Sequence, residues 1–145
     1  MNEMITMNAT DVRNNWSSVV DSVIREKKPK IIKRTRDKMF LADISIFESM
    51  LETYKFTARK YEEEDGSITL GLEEIEFLAE NGIDEQDAIK KLARAILDFS
   101  KDYYKDFSYW SSGTGKNHIP YILKALILND AEKIGGLITC HPGEI

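Results

Sequence analysis

The residues most suggestive of chemistry lie late in the chain. In Ser111–Asn117 (SSGTGKN), Gly113-Thr114-Gly115-Lys116 invites a phosphate-binding reading. The spacing defeats it. A P-loop needs a glycine five residues before Gly115, and Trp110 stands there; Asn117 takes the place of the Ser or Thr that would hold magnesium. The stretch is expected as a flexible loop. His118 and His141 lie on separate segments with no acidic partner at i,i+4, so no metal site and no cofactor are expected. Cys140 is the single cysteine, which excludes an internal disulfide and a cysteine-based zinc cluster, and no Cys-His-Asn constellation surrounds it. Glu62-Glu63-Glu64-Asp65 reads as a solvated linker rather than a catalytic carboxylate pair. With no nucleophile–base pair at a plausible spacing, the chain is not expected to be an enzyme.

Charge is more informative than any of these motifs. Residues 1–60 carry a balance of +4 and the remainder −9, within a net −5. Such asymmetry suits a basic end facing a polyanion and an acidic end facing solvent or a basic partner. The cations gather at two places: Lys33, Arg34, Arg36 and Lys38 at one, Lys27, Lys28 and Lys30 at the other. The composition, 42% hydrophobic with 31% charged residues, is that of a soluble globular protein. No apolar run approaches the roughly 20 residues that span a bilayer, and the N-terminus lacks the basic-then-apolar order of a signal peptide. A reduced, cytoplasmic protein is expected.

The elements that must position the cations follow from periodicity. Met4–Met7 reads as a short strand ending at Asn8, an N-cap that Asp11 can answer in a capping-box variant. Val12, Trp16, Val19, Val20 and Val23 form the apolar stripe of a helix running to about Glu26, which Pro29 stops. Its opposite face shows Arg13, Asn14, Ser17, Asp21 and Arg25. Lys30–Arg34 and Met39–Ile44 read as a hairpin joined by Thr35-Arg36-Asp37-Lys38. Ser45, answered by Glu48, caps a second helix with Phe47, Met50, Leu51, Tyr54 and Ala58 on its apolar face. A core this thin is marginal alone, so a homodimer is expected.

The stretch 4–54 resembles the N-terminal domain of the Phd/YefM-type antitoxins. The likeness rests on the strand leading into Asn8-Ala9-Thr10-Asp11-Val12-Arg13 and on the proline-led hairpin Pro29–Arg34. It continues through Leu41–Ser45, Phe47 and Leu51-Glu52-Thr53. The family's hairpin turn usually contains glycine; here it is Arg36-Asp37-Lys38 and reads as one residue longer, and Trp16 replaces a Leu or Phe. The resemblance implies a homodimer that binds operator DNA, usually at its own promoter, and a second region that neutralises a protein toxin. By family position, Arg13 and Arg34 are the pair expected to touch DNA. The residues themselves agree: a capped helix N-terminus offers N–H groups to a phosphate, and an arginine fork suits a guanine edge. Candidate DNA contacts are therefore Asn8, Thr10, Arg13, Asn14, Lys33, Arg34, Arg36 and Lys38.

The fold class expected is α+β. A β-α-β-β-α domain over 1–58 is followed by a charged hinge at 59–66. A smaller, mostly helical, acidic domain with one or two strands then occupies 67–145. In that domain Ser67–Leu72 reads as a strand, and Asn81-Gly82 as a turn. Asp84 caps the longest helix, with Ala88, Ile89, Leu92, Ala93, Ile96, Phe99, Tyr103 and Phe107 on one face. His118-Ile119-Pro120 opens another helix, and Gly135-Gly136 ends a short last turn. Tyr104, Tyr109 and Trp110 fall off the apolar face of the long helix, so they serve either core or intra-dimer packing or a partner surface. The leading function is a DNA-binding antitoxin and autorepressor. The alternatives are a dimeric protein-interaction module without DNA activity, or an orphan regulator without a toxin.

Overall fold

Two small sheets organise residues 5–143, the part of the chain that the computed structural model describes. The architecture is mixed α+β, with seven α-helices among the described residues. The chain divides into two compact units, Met1–Met50 and Leu51–Ile145.

In the first unit, β1 (Thr6–Asn8) runs parallel to β2 (Lys30–Arg34), and β3 (Asp37–Leu41) closes an antiparallel hairpin on β2. The Met4 start expected for β1 lies outside the described residues. A parallel pair needs a long crossover, supplied by α1 (Ala9–Asn14) and α2 (Trp16–Arg25). Asn8 caps α1 as expected, its Oδ1 accepting from the Thr10 N–H at 2.8 Å. The expected single helix is interrupted, because Asn15 leaves the helical region at φ −126°, ψ 33°. The apolar stripe restarts there. Val12, Val19 and Val23 are buried against Ile32, but Trp16 is 54% exposed, contrary to its place in the expected stripe. Lys27 terminates α2 in the left-handed region (φ 57°), and the Lys28 N–H donates to the Ser22 carbonyl at 3.3 Å. α3 (Ile44–Leu51) is capped by Asp43 and not by Ser45: the Asp43 carboxylate accepts from the Ser45 N–H (3.0 Å) and from its hydroxyl.

The hairpin turn is tighter than expected. Arg34 pairs with Asp37, which leaves only Thr35 and Arg36 as the loop. Two-residue loops want positive φ at their first central residue, normally from glycine or asparagine. Thr35 adopts it at φ 57°, an uncommon state for a β-branched residue.

The second unit begins with a meander, β4 (Phe56–Glu62), β5 (Ile68–Leu72) and β6 (Ala79–Gly82). β7 (Ile138–Pro142) returns beside β4, parallel to it, giving the order β6-β5-β4-β7. The expectation of one or two strands is corrected to four, and this unit is the larger of the two. β4 begins where the second helix was expected to continue; Tyr54 and Ala58 are not helical, and Ala58 is a buried strand residue. The expected hinge falls within the β4–β5 hairpin, closed by Glu63 and Ser67 (2.9 Å) with Gly66 at φ 86°. β6 uses the Asn81-Gly82 pair as strand. A Cβ on Gly82 would sit 2.3 Å from the Ala88 nitrogen, so only glycine lets this strand meet the next helix.

That helix, α4 (Glu85–Lys105), starts with a reciprocal cap: Asp84 accepts from the Asp87 N–H (2.8 Å) and Asp87 from the Ile83 N–H (2.9 Å). Ala88, Leu92, Ala93, Ile96 and Tyr103 are buried against Phe56, Leu70 and Leu72, much as the periodicity requires. α5 (Phe107–Trp110), a 3-10 turn (Gly113–His118), α6 (Ile119–Leu128) and α7 (Ala131–Leu137) complete the unit. Proline sits in the first turn of α6 as expected. α7 runs through Gly135-Gly136 instead of ending there. A Cβ at Gly135 would meet Ile89 and Ala93 of α4 at ordinary contact distance (3.5 and 3.6 Å), so the packing of α7 on α4 has room for alanine there.

The strain at Thr35 generates a test. Thr35→Gly removes a penalty of roughly 1–3 kcal/mol for a residue held in a sparse region, offset by about 1 kcal/mol of glycine entropy. The variant should therefore unfold at slightly higher urea with an unchanged slope. A lowered midpoint would mean that the turn is not strained.

Candidate nucleic-acid interface

All eight candidate DNA contacts fall in the first unit, and strand register decides which share a surface. Asn8, Lys33 and Lys38 form one row across β1, β2 and β3. Because side chains alternate along strands, this row lies opposite the face on which Met7, Ile32 and Leu41 pack against Val12, Val19 and Val23. Lys33 and Lys38 are direct cross-strand partners, both exposed. Like charges facing each other across a ladder are destabilising. A phosphate placed between them would relieve the repulsion.

Arg34 projects to the other face and makes a 3.7 Å ion pair with Asp37, both side chains largely exposed. Such a pair is worth little and yields easily to a stronger anion. Arg36 stands in the turn, and Arg13 lines a groove on the helix-covered side of the sheet. The structure thus brings Asn8, Lys33 and Lys38 onto one face, and places Arg13 and Arg34 on the other side of the sheet. Thr10 and Asn14 are exposed on α1. The phosphate-binding role expected for this helix start is weakened: α1 has six residues, and the Thr10 N–H is already taken by Asn8.

The second basic cluster is structural. Lys27 Nζ reaches Asp43 Oδ2 at 3.0 Å, Lys28 pairs with Glu26 at 3.5 Å, and Lys30 is buried. The Ser45 hydroxyl, Lys27 and the Ser45 N–H hold the Asp43 carboxyl below the usual carboxylate range.

Beside β3 the first unit has an open apolar groove of about 500 Å³, lined by Val12, Trp16, Ile32, Met39, Phe40 and Leu41 with Arg13 at its rim. Trp16 and Met39 were not assigned to such a surface from sequence; the only signal was a tryptophan in a helix too small to bury it.

The remaining sequence motifs fall in the second unit. The Gly113–Lys116 stretch is a 3-10 turn, held by the Tyr103 hydroxyl donating to the Gly115 carbonyl at 2.7 Å, and not a flexible loop. A Cβ on Gly115 would fall 1.8 Å from the Trp110 carbonyl oxygen, so this glycine is there for close approach and offers no phosphate cradle. Burial raises the Tyr103 phenol, keeping it a donor. It also pushes the Cys140 thiol up, with Glu85 adding to the effect, which disfavours a reactive thiolate. His141 meets Glu73 (2.7 Å), which also takes Arg59 (3.1 Å), a trio that local spacing does not reveal. A larger open groove, about 1340 Å³, runs along α4 and α7, where Lys90, Lys91 and Arg94 are interleaved with Glu80, Asp87 and Asp98. Tyr104 and Tyr109 are exposed and Trp110 is half-buried. No helix among the described residues is long and apolar enough to cross a membrane.

The Asp43 site carries a pH dependence. Its folded-state pKa lies below the unfolded value, so its stabilisation is present above the unfolded pKa and is lost as pH falls through the folded one. Asp43→Asn should weaken hydrogen-exchange protection in α3 at neutral pH and remove part of the wild-type loss below about pH 4. Identical acid profiles would rule out this role.

Comparison with known proteins adds a family to this geometry. The chain matches a family model described as PHD-like, antitoxin of a RelE/RelB toxin–antitoxin system, over residues 1–140. Among solved structures it is similar to an antitoxin part of a candidate toxin/antitoxin system from Syntrophomonas wolfei subsp. wolfei. The two share 35% identity at a TM-score of 0.87, with 97% of this chain and 100% of that one covered. The comparison with curated proteins found no match. With the pattern met from its first residue through β7, the chain belongs to the PHD-like antitoxins of toxin–antitoxin systems.

Proposed function

We propose that the protein is a Phd/YefM-type antitoxin that binds operator DNA as a homodimer through its first unit, represses its own promoter, and neutralises a protein toxin through its second. The role is regulatory and non-enzymatic, and the setting is the cytoplasm. The observation that carries the DNA reading is the Lys33–Lys38 pair, like charges held face to face in a hairpin whose turn is itself strained. A fold keeps such an arrangement where an external polyanion repays it. Asn8 extends the row; Arg36 stands in the turn, and Arg13 and Arg34 on the other side of the sheet provide further forked donors for guanine edges or phosphate, so the contact we propose wraps the hairpin rather than lying on one face.

Binding to the DNA upstream of its own gene, followed by fluorescence anisotropy against salt, tests this. Wild type should bind specifically and lose affinity steeply with salt. Lys33→Ala with Lys38→Ala removes four cations from a dimer and should flatten the log–log slope by about three to four. Arg13→Ala with Arg34→Ala should cost at least about tenfold and relax specificity. If wild type and both double variants bind any duplex equally weakly, the DNA reading is wrong. The runner-up, a dimeric interaction module without DNA activity, would then stand.

The dimer is supported by the groove beside β3, where Trp16 and Met39 are exposed next to a strand with a free edge. A second copy related by a two-fold would cover both and double the basic faces. Met39→Asp should convert the protein to monomers in sedimentation velocity and abolish palindromic DNA binding. Retention of a wild-type dimer would place the interface elsewhere.

A further inference from the structure

The toxin-facing surface of the second unit can be located more closely, on the reading just given that this unit neutralises a toxin. Its rings form one connected band. Phe77, in the loop between β5 and β6, is 61% exposed and stands edge-on to Phe99 (centroids 5.0 Å) and to His118 (5.9 Å). Phe99 meets Trp110 at 5.5 Å, and Trp110 meets Tyr109, itself 65% exposed, at 5.3 Å. Tyr104, on the exposed side of the last turn of α4, adds a further open ring. Phe77 is not singled out by the sequence, where it stands in the mixed run Glu73-Glu74-Ile75-Glu76-Phe77-Leu78.

The band is built rather than incidental. Trp110 stacks on buried Tyr103 (6.1 Å, 22° between planes), whose hydroxyl pins the 3-10 turn that ends at His118. The rings are therefore fixed before any partner arrives, which lowers the entropy cost of binding. Large exposed aromatics on rigid backbone are the side chains that dominate protein interfaces.

Charge identifies the partner's chemistry. Residues 51–145 carry a net −7, and Glu76 adjoins Phe77, while Asp102 and Asp106 bracket Tyr103-Tyr104-Lys105, with Lys105 4.0 Å from Asp102. Burial lowers the His118 pKa, opposed by Glu76, which favours the neutral ring beside Phe77 and spares a cation that repulsion. Aromatic faces beside carboxylates take guanidinium and ammonium groups.

We propose that the ring band Phe77–Phe99–Trp110–Tyr109, with Glu76 beside it, seats a basic face of the toxin through arginine and lysine side chains laid on the rings. The probe is the product of the reading frame adjacent to this chain's gene, titrated calorimetrically against the full chain. Phe77→Ala, Tyr109→Ser and Glu76→Lys should each weaken binding about tenfold or more, and salt should weaken the wild-type complex. Ile83→Ala is the control: equally apolar, 81% exposed, and at the far end of the 21-residue α4, it should change nothing. All variants alter exposed side chains, and unchanged melting curves confirm that they fold.

Wild-type binding that the ring variants leave intact overturns this inference while neutralisation stands. Absence of wild-type binding overturns the neutralisation reading and the inference with it. Loss of self-association in the ring variants, with toxin binding unchanged, would make the band a contact between copies and likewise overturn the proposal.

Discussion

The constraint on which the first unit depends is its size. Three short strands covered on one side by two helices bury only Val12, Val19, Val23 and Ile32 as a core. Against these four, seven large apolar side chains stay exposed among the described residues, from Ile5 and Trp16 to Met39, Phe40 and Met50. At roughly 25 cal/mol per Å² of apolar surface, four small side chains cannot offset the ordering of some fifty residues. Met7, Ala9 and Leu41 add partly buried surface to that core, and in the dimer proposed above a second copy would cover exposed side chains as well. The interruption at Asn15 belongs to the same constraint: it turns Trp16 out of the core and into the wall of the groove beside β3. The side chain least suited to solvent thereby stands where a second copy would hide it.

The hairpin shows a second local conflict. A tight two-residue loop without glycine and a lysine directly opposite a lysine each weaken the hairpin. Neither helps the unit to fold, whereas at the other end of the sheet Lys27 and Lys28 have carboxylate partners and Lys30 is buried. Lys27 binds Asp43, which also caps α3, so one carboxylate joins the end of α2 to the start of the next helix. Two basic clusters that look equivalent in sequence therefore differ in kind. One is satisfied within the fold, and the other holds its lysines against each other.

Where local chemistry decides conformation, the sequence was readable. Asn8, Asp84 and Pro120 mark helix starts through hydrogen bonds or ring geometry within a few residues, and all three stand where expected. Some local readings failed, at the Ser45 cap, at Asn15 and at Gly135-Gly136, but the larger misses depend on distant partners. β7 is a strand because Ile138 pairs with Phe56 across the whole second unit. β6, with the sequence AENG, has no strand pattern at all and exists by pairing with β5. The acidic stretch taken as a hinge is a hairpin because Glu62 and Ile68 are in register. The candidate site divides in the same way. Its residue types were legible from charge, but the row of Asn8, Lys33 and Lys38 follows only from strand register, and Phe77 only from a loop that folds against α4.

The second unit bears on how an antitoxin of this kind can act. A disordered tail that folds on its toxin loses part of the interaction energy to ordering. Here a 21-residue helix and a four-stranded sheet enclose a core in which Phe56, Leu70, Ile96, Tyr103 and Ile122 are fully buried. That ordering cost is met in folding. On the function proposed above, the surface left for recognition is already folded, and the Tyr103–Gly115 hydrogen bond holds the 3-10 turn within it. A preformed surface also resists proteolysis better than an open tail, because cleavage then requires local unfolding. On that same function, the lifetime of a toxin complex would be set by dissociation from a folded surface rather than by degradation of an exposed segment.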